Sequence, residues 1–321
     1  MSAEFDLIER IRSRVNSRAD VVLGIGDDAA LLKVPEGQQL VVSTDTLIAG
    51  VHFPEDTAAA DIGWKSLAVN LSDLAAMAAT PAWCTLALTL PAADQQWLDG
   101  FLDGLLELAD QHAVQLIGGD TTRGPLSITL TAHGFIPDGQ ALLRSGAKVG
   151  DEIWITGTIG DAAGGLQQWR AKKLQSAKLR YRLDRPTPRI EAGIALRGLA
   201  HSAIDLSDGL AADLGHILQA SGVGAEVDLG RLPTSTTLLQ HFSSDSDRWR
   251  LQLGGGDDYE LCFTAPASAA LVIEQAMAAC DITVTAIGQI VAGRETIFRT
   301  PEGGAYSLPS AGYDHFAASN A

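Results

Sequence analysis

Five short apolar runs in this chain lead into aspartate, and each aspartate stands beside glycine, serine or threonine. They are GIGDD (Asp27, Asp28), VVSTD (Asp45), QLIGGD (Asp120), AIDLSD (Asp205, Asp208) and LQLGGGDD (Asp257, Asp258). A short run of aliphatic and β-branched residues reads as a buried strand. A carboxylate cannot continue such a run into an apolar core unless it is paired or bound to metal. Each run is therefore expected to surface at the end of a strand, and the carboxyl ends of strands are where ligands bind in α/β folds.

The stretches between these runs read as helices. Phe5, Ile8, Ile11 and Val15 recur at helical spacing. Residues 61–79 form a long helix with Asp61 as a plausible N-cap and Pro81 just past its end. Residues 94–112 put Trp97, Phe101, Leu105 and Leu108 on one face. Strands are expected at 40–44, 83–90, 115–117 and 126–136, the last followed by a Pro-Asp-Gly turn. After a boundary near 145–150 come a strand at 152–156 and a helix from Asp161. The two prolines of RPTPR, 185–189, block helix there. Helices at 190–199, 208–219 and near 267–279 then mix with strands at 203–206, 260–264 and 282–290. This mixture predicts an α/β (α+β) fold in two domains, 1–145 and 146–321.

Charge narrows the function. With 39 acidic against 23 basic residues, a net −16, the chain is a poor partner for nucleic acid or an anionic membrane. If it binds phosphates, something else must supply positive charge. Oxygen ligands clustered at strand ends suit Mg²⁺, which keeps waters and substrate phosphates in its octahedral shell. The three cysteines, Cys84, Cys262 and Cys280, form no C-x-x-C and fit a reducing compartment. The first residues contain no apolar signal segment, and no apolar run reaches the ~18 residues of a membrane span. A cytoplasmic location is expected.

Several motifs have two readings. A single aspartate after a strand serves equally as a turn residue or helix N-cap. Asp73 differs, because it lies inside the helix at 61–79, near Asn70 and Met77, on a face that otherwise looks apolar. There is no G-x-x-x-x-G-K-[ST] phosphate loop. GTIGDAAGG, 157–165, can cradle phosphate on backbone N–H groups or simply allow tight helix packing. Arg144 and Lys148 are solvated charges or phosphate ligands, Arg144 being the better candidate through bidentate contact. VNLSDLAAMAA and AIDLSDGLAAD share an L-S-D-x-x-A core, by chance or by an old duplication.

Taken in order, GIGDDAALL, STDTLIAGVHF, VNLSDLAAM, IGGDTTRGPL, RSGAKVGD, AIDLSDGL, GGGDDYELCF and GYDHF resemble the thiamine-monophosphate kinase family. That family belongs to the superfamily of aminoimidazole ribonucleotide synthetase and selenophosphate synthetase. The resemblance runs nearly end to end. It implies ATP-dependent phosphorylation of thiamine monophosphate with several Mg²⁺ ions. It also implies a homodimer whose N-terminal domains share a β-barrel, each followed by a C-terminal α/β domain that completes the site. By matching positions, Asp28, Ser43, Thr44, Asp45, Asp73, Asp120, Asp205 and Asp208 would be metal ligands, with Asp27 an acidic neighbour. Gly119, Asp120, Arg144 and Ser207 would contact ATP, and His52, Asp257 and Ser310 the thiamine phosphate. Two positions depart from the family: Asp257 stands where glutamate is common, and Ser310 where an aromatic residue is usual, a role Tyr313 could take over. The rival readings are aminoimidazole ribonucleotide synthesis, hydrogenase maturation and, more remotely, a metal-dependent phosphatase. An acidic ion buffer would cluster its aspartates in sequence, and here they are dispersed.

Overall fold

The computed structural model describes residues 3–172 and 176–308. The chain divides into two compact units, Met1–Ala141 and Leu142–Ala321.

The first unit contains α1 (Ala3–Arg12), β1 (Val21–Leu23), β2 (Leu31–Leu32), β3 (Gln38–Ile48), α2 (Ala59–Ala76), β4 (Thr80–Leu90), α3 (Gln95–Gln111), β5 (Gln115–Arg123) and β6 (Ser127–Pro137). Its main sheet has the order β3-β6-β4-β5. β6 runs antiparallel to β3 and β4, while β4 and β5 are parallel. Helix α2 lies on one face of this sheet, with Leu67, Leu71 and Leu74 fully buried, and α3 packs against α2. The two helices cross almost backbone to backbone. A Cβ on Gly63 would lie 1.9 Å from the Phe101 carbonyl oxygen, and one on Gly104 1.7 Å from that of Ala60.

Both β3 and β5 outrun their apolar stretches. β6 pairs with β3 along all of Gln38–Ile48, so backbone hydrogen bonding carries the strand through Ser43, Thr44 and Asp45. β4 does the same for β5 through Gly118, Gly119 and Asp120. Asp45 and Asp120 are thus mid-strand residues, contrary to the strand-end expectation. Asp61 lies within the first turn of α2; the N-cap position is Ala58. Asp94 is the N-cap of α3, its side chain accepting from the Trp97 N–H.

The second unit contains β7 (Asp151–Thr156), α4 (Asp161–Arg170), α5 (Ala177–Asp184), α6 (Ile190–Ala195), β8 (Ser202–Asp205), α7 (Leu210–Ser221), β9 (Gly224–Asp228), α8 (Thr236–His241), α9 (Asp245–Gly254), β10 (Leu261–Pro266), α10 (Ala270–Ala279), β11 (Val284–Val291), β12 (Thr296–Arg299) and β13 (Ala305–Tyr306). They build a seven-stranded mixed sheet, β13-β12-β9-β11-β7-β10-β8. Ile153, Ile155, Ile204, Leu210, Leu214, Ile217 and Ile287 form its core with α7. The prolines of 185–189 separate α5 from α6 as expected. The two L-S-D segments fold differently: Asp73 sits inside α2, whereas Asp208 lies in the turn before α7. Nothing in their local structure supports a duplication. Among the described residues, no helix is long and apolar enough to cross a membrane.

Candidate functional site

In the first unit the pleat of β3 sorts the acidic and hydroxyl residues. Val41, Ser43, Asp45 and Leu47 alternate onto one face, where Val41 and Leu47 are buried. Asp73 of α2 meets this row, and the Ser43 hydroxyl donates a hydrogen bond to its carboxylate. Burial, then the charge of Asp73, then a hydrogen bond with Asp73 push the Asp45 carboxyl up to about 6. Desolvation and a like charge both disfavour ionisation, so two carboxylates held this way favour a proton or a cation between them.

Thr44 lies on the opposite, open face, where its hydroxyl pairs with that of Thr131 at 2.9 Å. Asp120 is exposed on the same face, in the register row Thr46–Thr129–Ala87–Asp120. Three strand spacings separate its strand from β3, roughly 14 Å at ~4.8 Å per strand. The sheet therefore gathers Ser43, Asp45 and Asp73 but sets Thr44 and Asp120 apart from them. Gly119 has a structural reason of its own, since a Cβ there would lie 1.8 Å from the Leu86 carbonyl oxygen.

Asp27 and Asp28 are exposed on the loop between β1 and β2. Val21, Ala30 and Leu32 anchor that loop against Trp83, Ile117 and Phe135. The Asp27 carboxylate accepts the Asp28 N–H at 2.8 Å. His52 follows β3, and its Nδ1 accepts the Ile48 N–H at 3.0 Å, which puts the neutral ring's proton on Nε2. Among the described residues, no three His, Cys, Asp or Glu side chains of the chain converge closely enough to hold an ion by themselves.

In the second unit two acidic loops are laced together. Asp205 ends β8 with 5% exposure and is followed by the turn Leu206–Gly209. The Asp213 carboxylate accepts the N–H groups of Asp208 and Gly209, both at 3.1 Å. Burial pushes Asp213 up to about 7, against the pull of these backbone donors. The loop after α9 runs alongside. Asp257 N–H donates to the Ser207 carbonyl at 2.9 Å and Tyr259 N–H to that of Leu206 at 2.8 Å. A Cβ on Gly256 would lie 2.0 Å from the Ser207 carbonyl oxygen, so only glycine permits this contact.

Residues in this second loop alternate. Asp258 and Glu260 are buried, and Asp257 and Tyr259 are half-buried. Asp257 and Tyr259 both have positive φ, +68° and +51°, a strain on the order of 1–3 kcal/mol each for residues with a Cβ. Asp258 accepts the Gly160 N–H at 2.8 Å. Glu260 is gripped by Arg189 at 2.5 and 2.6 Å, Arg182 at 2.9 Å and the Thr156 hydroxyl at 2.8 Å. The glycine pattern at 157–165 thus serves packing: the Gly160 amide is committed to Asp258, and the Gly165 Cα abuts Leu179 of α5. Arg144 is exposed, and its carbonyl accepts from the Ser221 hydroxyl at 3.4 Å. Lys148 is engaged by His201, 3.1 Å from Nζ to Nε2. Ser310, Tyr313 and the GYDHF motif lie outside the described residues.

Sequence reasoning missed Asp213, Arg182, Arg189 and Glu260. Asp213 had a local signal, an acid in the first turn of a helix after Asp-Gly. The arginines had none, because their partner is about 70 or more residues away in sequence.

Both units match models of the AIR synthase related proteins. The model of their N-terminal domain matches residues 26–136 and that of their C-terminal domain residues 148–300. Thiamine-monophosphate kinase of Escherichia coli (strain K12) is 53% identical over 321 residues, 98% of each chain. The crystal structure of thiamine-monophosphate kinase from Stenotrophomonas maltophilia K279a is also 53% identical, with a TM-score of 0.88 over 95% of this chain and 98% of that one. AaThiL complexed with AMPPCP and TMP is 28% identical, with a TM-score of 0.77 over 97% and 96%. Within the AIR synthase related class, this chain belongs to the thiamine-monophosphate kinase family.

Proposed function

We propose that the chain transfers the γ-phosphoryl group of ATP to thiamine monophosphate, giving ADP and thiamine diphosphate. One observation carries this reading: identity of 53% to a thiamine-monophosphate kinase, spread over 98% of both chains. The test is ADP release with thiamine monophosphate, free thiamine or an aminoimidazole precursor as acceptor. Release is expected with thiamine monophosphate alone. Release only with the aminoimidazole precursor would overturn the reading.

The acceptor is a phosphomonoester whose second pKa is ~6, so it is largely ionised at neutral pH and needs no base. The obstacle is repulsion between it and the ATP tail, and phosphoryl transfer depends mainly on positioning and electrostatic stabilisation. The donor set fits Mg²⁺: it is all oxygen, and the Asp45–Asp73 pair is a like-charge site that a cation relieves. Asp28, Ser43, Thr44, Asp45, Asp73, Asp120, Asp205 and Asp208 would hold the ions. Bound Mg²⁺ would supply charge neutralisation between the two anionic reactants for an in-line transfer. Gly119, Asp120, Arg144 and Ser207 orient ATP; His52 and Asp257, with Ser310, orient the thiamine phosphate. His52 presents its Nε2–H as a donor, since Nδ1 already accepts from the backbone.

Direct transfer leaves no phosphoenzyme, and γ-labelled phosphate trapped on the protein without acceptor would contradict it. The enzyme works as a homodimer in the cytoplasm. The edge strand β3 supports the dimer by exposing Leu40, Val42 and Ile48 on the open face of its sheet. Val42→Asp should convert a dimer to a monomer in light scattering.

A further inference from the structure

The second unit sets two arginines, Arg182 and Arg189, against one buried carboxylate, Glu260. Glu260 is fully buried, yet it receives four hydrogen bonds, three of them from Arg182 and Arg189. The surroundings are shaped around it: a Cβ on Gly157 would lie 2.2 Å from Glu260 Oε1, and Gly157 itself has φ +58°. One residue earlier, Tyr259 holds a backbone conformation that side-chain-bearing residues avoid, and so does Asp257. The Tyr259 hydroxyl donates to Asp257 Oδ1 at 3.3 Å. A strained segment keeps its shape only while its neighbours over-determine it. Here the neighbours are Asp258, tied to Gly160, and Glu260, tied to the arginine pair.

We propose that Glu260, through Arg189 and Arg182, is a positioning residue that holds the Asp257–Tyr259 pair toward the thiamine phosphate and so sets affinity for that acceptor. This rests on the reading of Asp257 as a substrate-binding residue. Bidentate guanidinium–carboxylate pairing fixes direction as well as distance. Loss of either partner frees the peptide between Asp258 and Glu260 to leave the left-handed region, and the Asp257 carboxylate then turns with it.

The test is steady-state kinetics of the full chain with each substrate varied in turn. Arg189→Gln should raise KM for thiamine monophosphate by about 10- to 100-fold, the range for losing a group that orients a ligand-binding side chain. Its KM for ATP and its kcat should stay near those of the parent, and Arg189→Lys should restore part of the loss. Tyr259→Phe, which leaves the buried network intact, should raise the same KM by less; it keeps the inference testable if Arg189→Gln does not fold. Equal rises in both KM values, or a fall in active fraction with KM for thiamine monophosphate unchanged, would overturn the inference. Asp257→Ala separates the two failures. If it raises KM for thiamine monophosphate while Arg189→Gln and Tyr259→Phe do not, the positioning role alone is wrong. If it leaves that KM unchanged, the substrate role of Asp257 falls, and the inference with it.

Discussion

Glu260 of the second unit and Asp45 of the first are two acids removed from water in opposite ways. In the second, Glu260 is matched by two guanidinium groups and Asp258 by a backbone amide. The charge of Glu260 is settled within the fold. In the first, Asp45 is acted on by burial and by a second carboxylate, both of which disfavour its charge. A fold that can build the arginine clamp around Glu260 has no general difficulty neutralising an acid. Where it builds a like-charge pair instead, the natural counterpart is a mobile cation. The lesson is that these acids divide by what stands opposite them: fixed guanidinium groups around Glu260, a second carboxylate beside Asp45.

The largest effect should come from breaking the first arrangement. Asp73→Asn should lower turnover on the order of 10²–10³-fold, the scale for removing one preorganised electrostatic group. The same substitution should leave the melting temperature unchanged or raised, because a like charge beside Asp45 disappears. ADP release at saturating substrates and calorimetry on the same sample check both halves. Near-normal turnover at modest Mg²⁺ would erase the contrast between the units.

The second arrangement should answer with stability. Glu260→Ala leaves two arginines facing an emptied, desolvated position, and removing one partner of a buried ion pair costs about 3–5 kcal/mol. Urea denaturation should show that loss as a lower midpoint, while Asp45→Asn in the first unit shows little or none. Equal destabilisation by both would mean that the Asp45–Asp73 pair is structural too.

A smaller shift should follow from ligand. Binding to the folded state stabilises it by about 2.7 kcal/mol when the ligand is at 100 times its dissociation constant. Mg²⁺ with a non-hydrolysable nucleotide should therefore raise the melting temperature of the parent chain, and EDTA should abolish the rise. Asp73→Asn should blunt it, whereas Arg189→Lys should not.

How much of this was legible in the sequence follows the same division. The carboxylates themselves were visible, since aspartate beside glycine at the end of an apolar run is a local pattern. Most helices and strands were too. Strand ends were not: β3 and β5 continue through their aspartates because β6 and β4 hydrogen-bond to them throughout. That pairing is tertiary and leaves no trace in a residue run. The short strands β9, β12 and β13 went unread for want of an apolar run long enough to stand out. The fate of each acid was invisible as well. Nothing near residue 260 announces Arg189, and the prolines around that arginine spoke only of a broken helix. GTIGDAAGG looked like a phosphate cradle because the chain does form an amide site there; its own Asp258 fills it.

Asp258 offers the finest test of whether the second unit has settled its charges. Burial raises its pKa well above the usual carboxylate value, opposed by the Gly160 amide and by Arg182 of α5, and assisted by Asp161 of α4 and by Glu260. A carboxyl whose folded pKa is raised binds more protons in the folded than in the unfolded state. Its contribution to stability is then full below the unfolded value of about 4 and is lost as pH rises above it. Asp258→Asn keeps a carbonyl oxygen to accept the Gly160 N–H but has no proton to lose. The variant should match the parent near pH 4 and exceed it increasingly toward pH 8, by about 1.4 kcal/mol for each unit by which the folded pKa is raised. Urea midpoints of the two chains, measured as a difference at each pH, isolate this group from the other acids. A deficit that stays constant with pH would mean that Asp258 is ionised and held by Arg182. Asp258 would then join Glu260 as an acid held by fixed cations, and the contrast with Asp45 would sharpen.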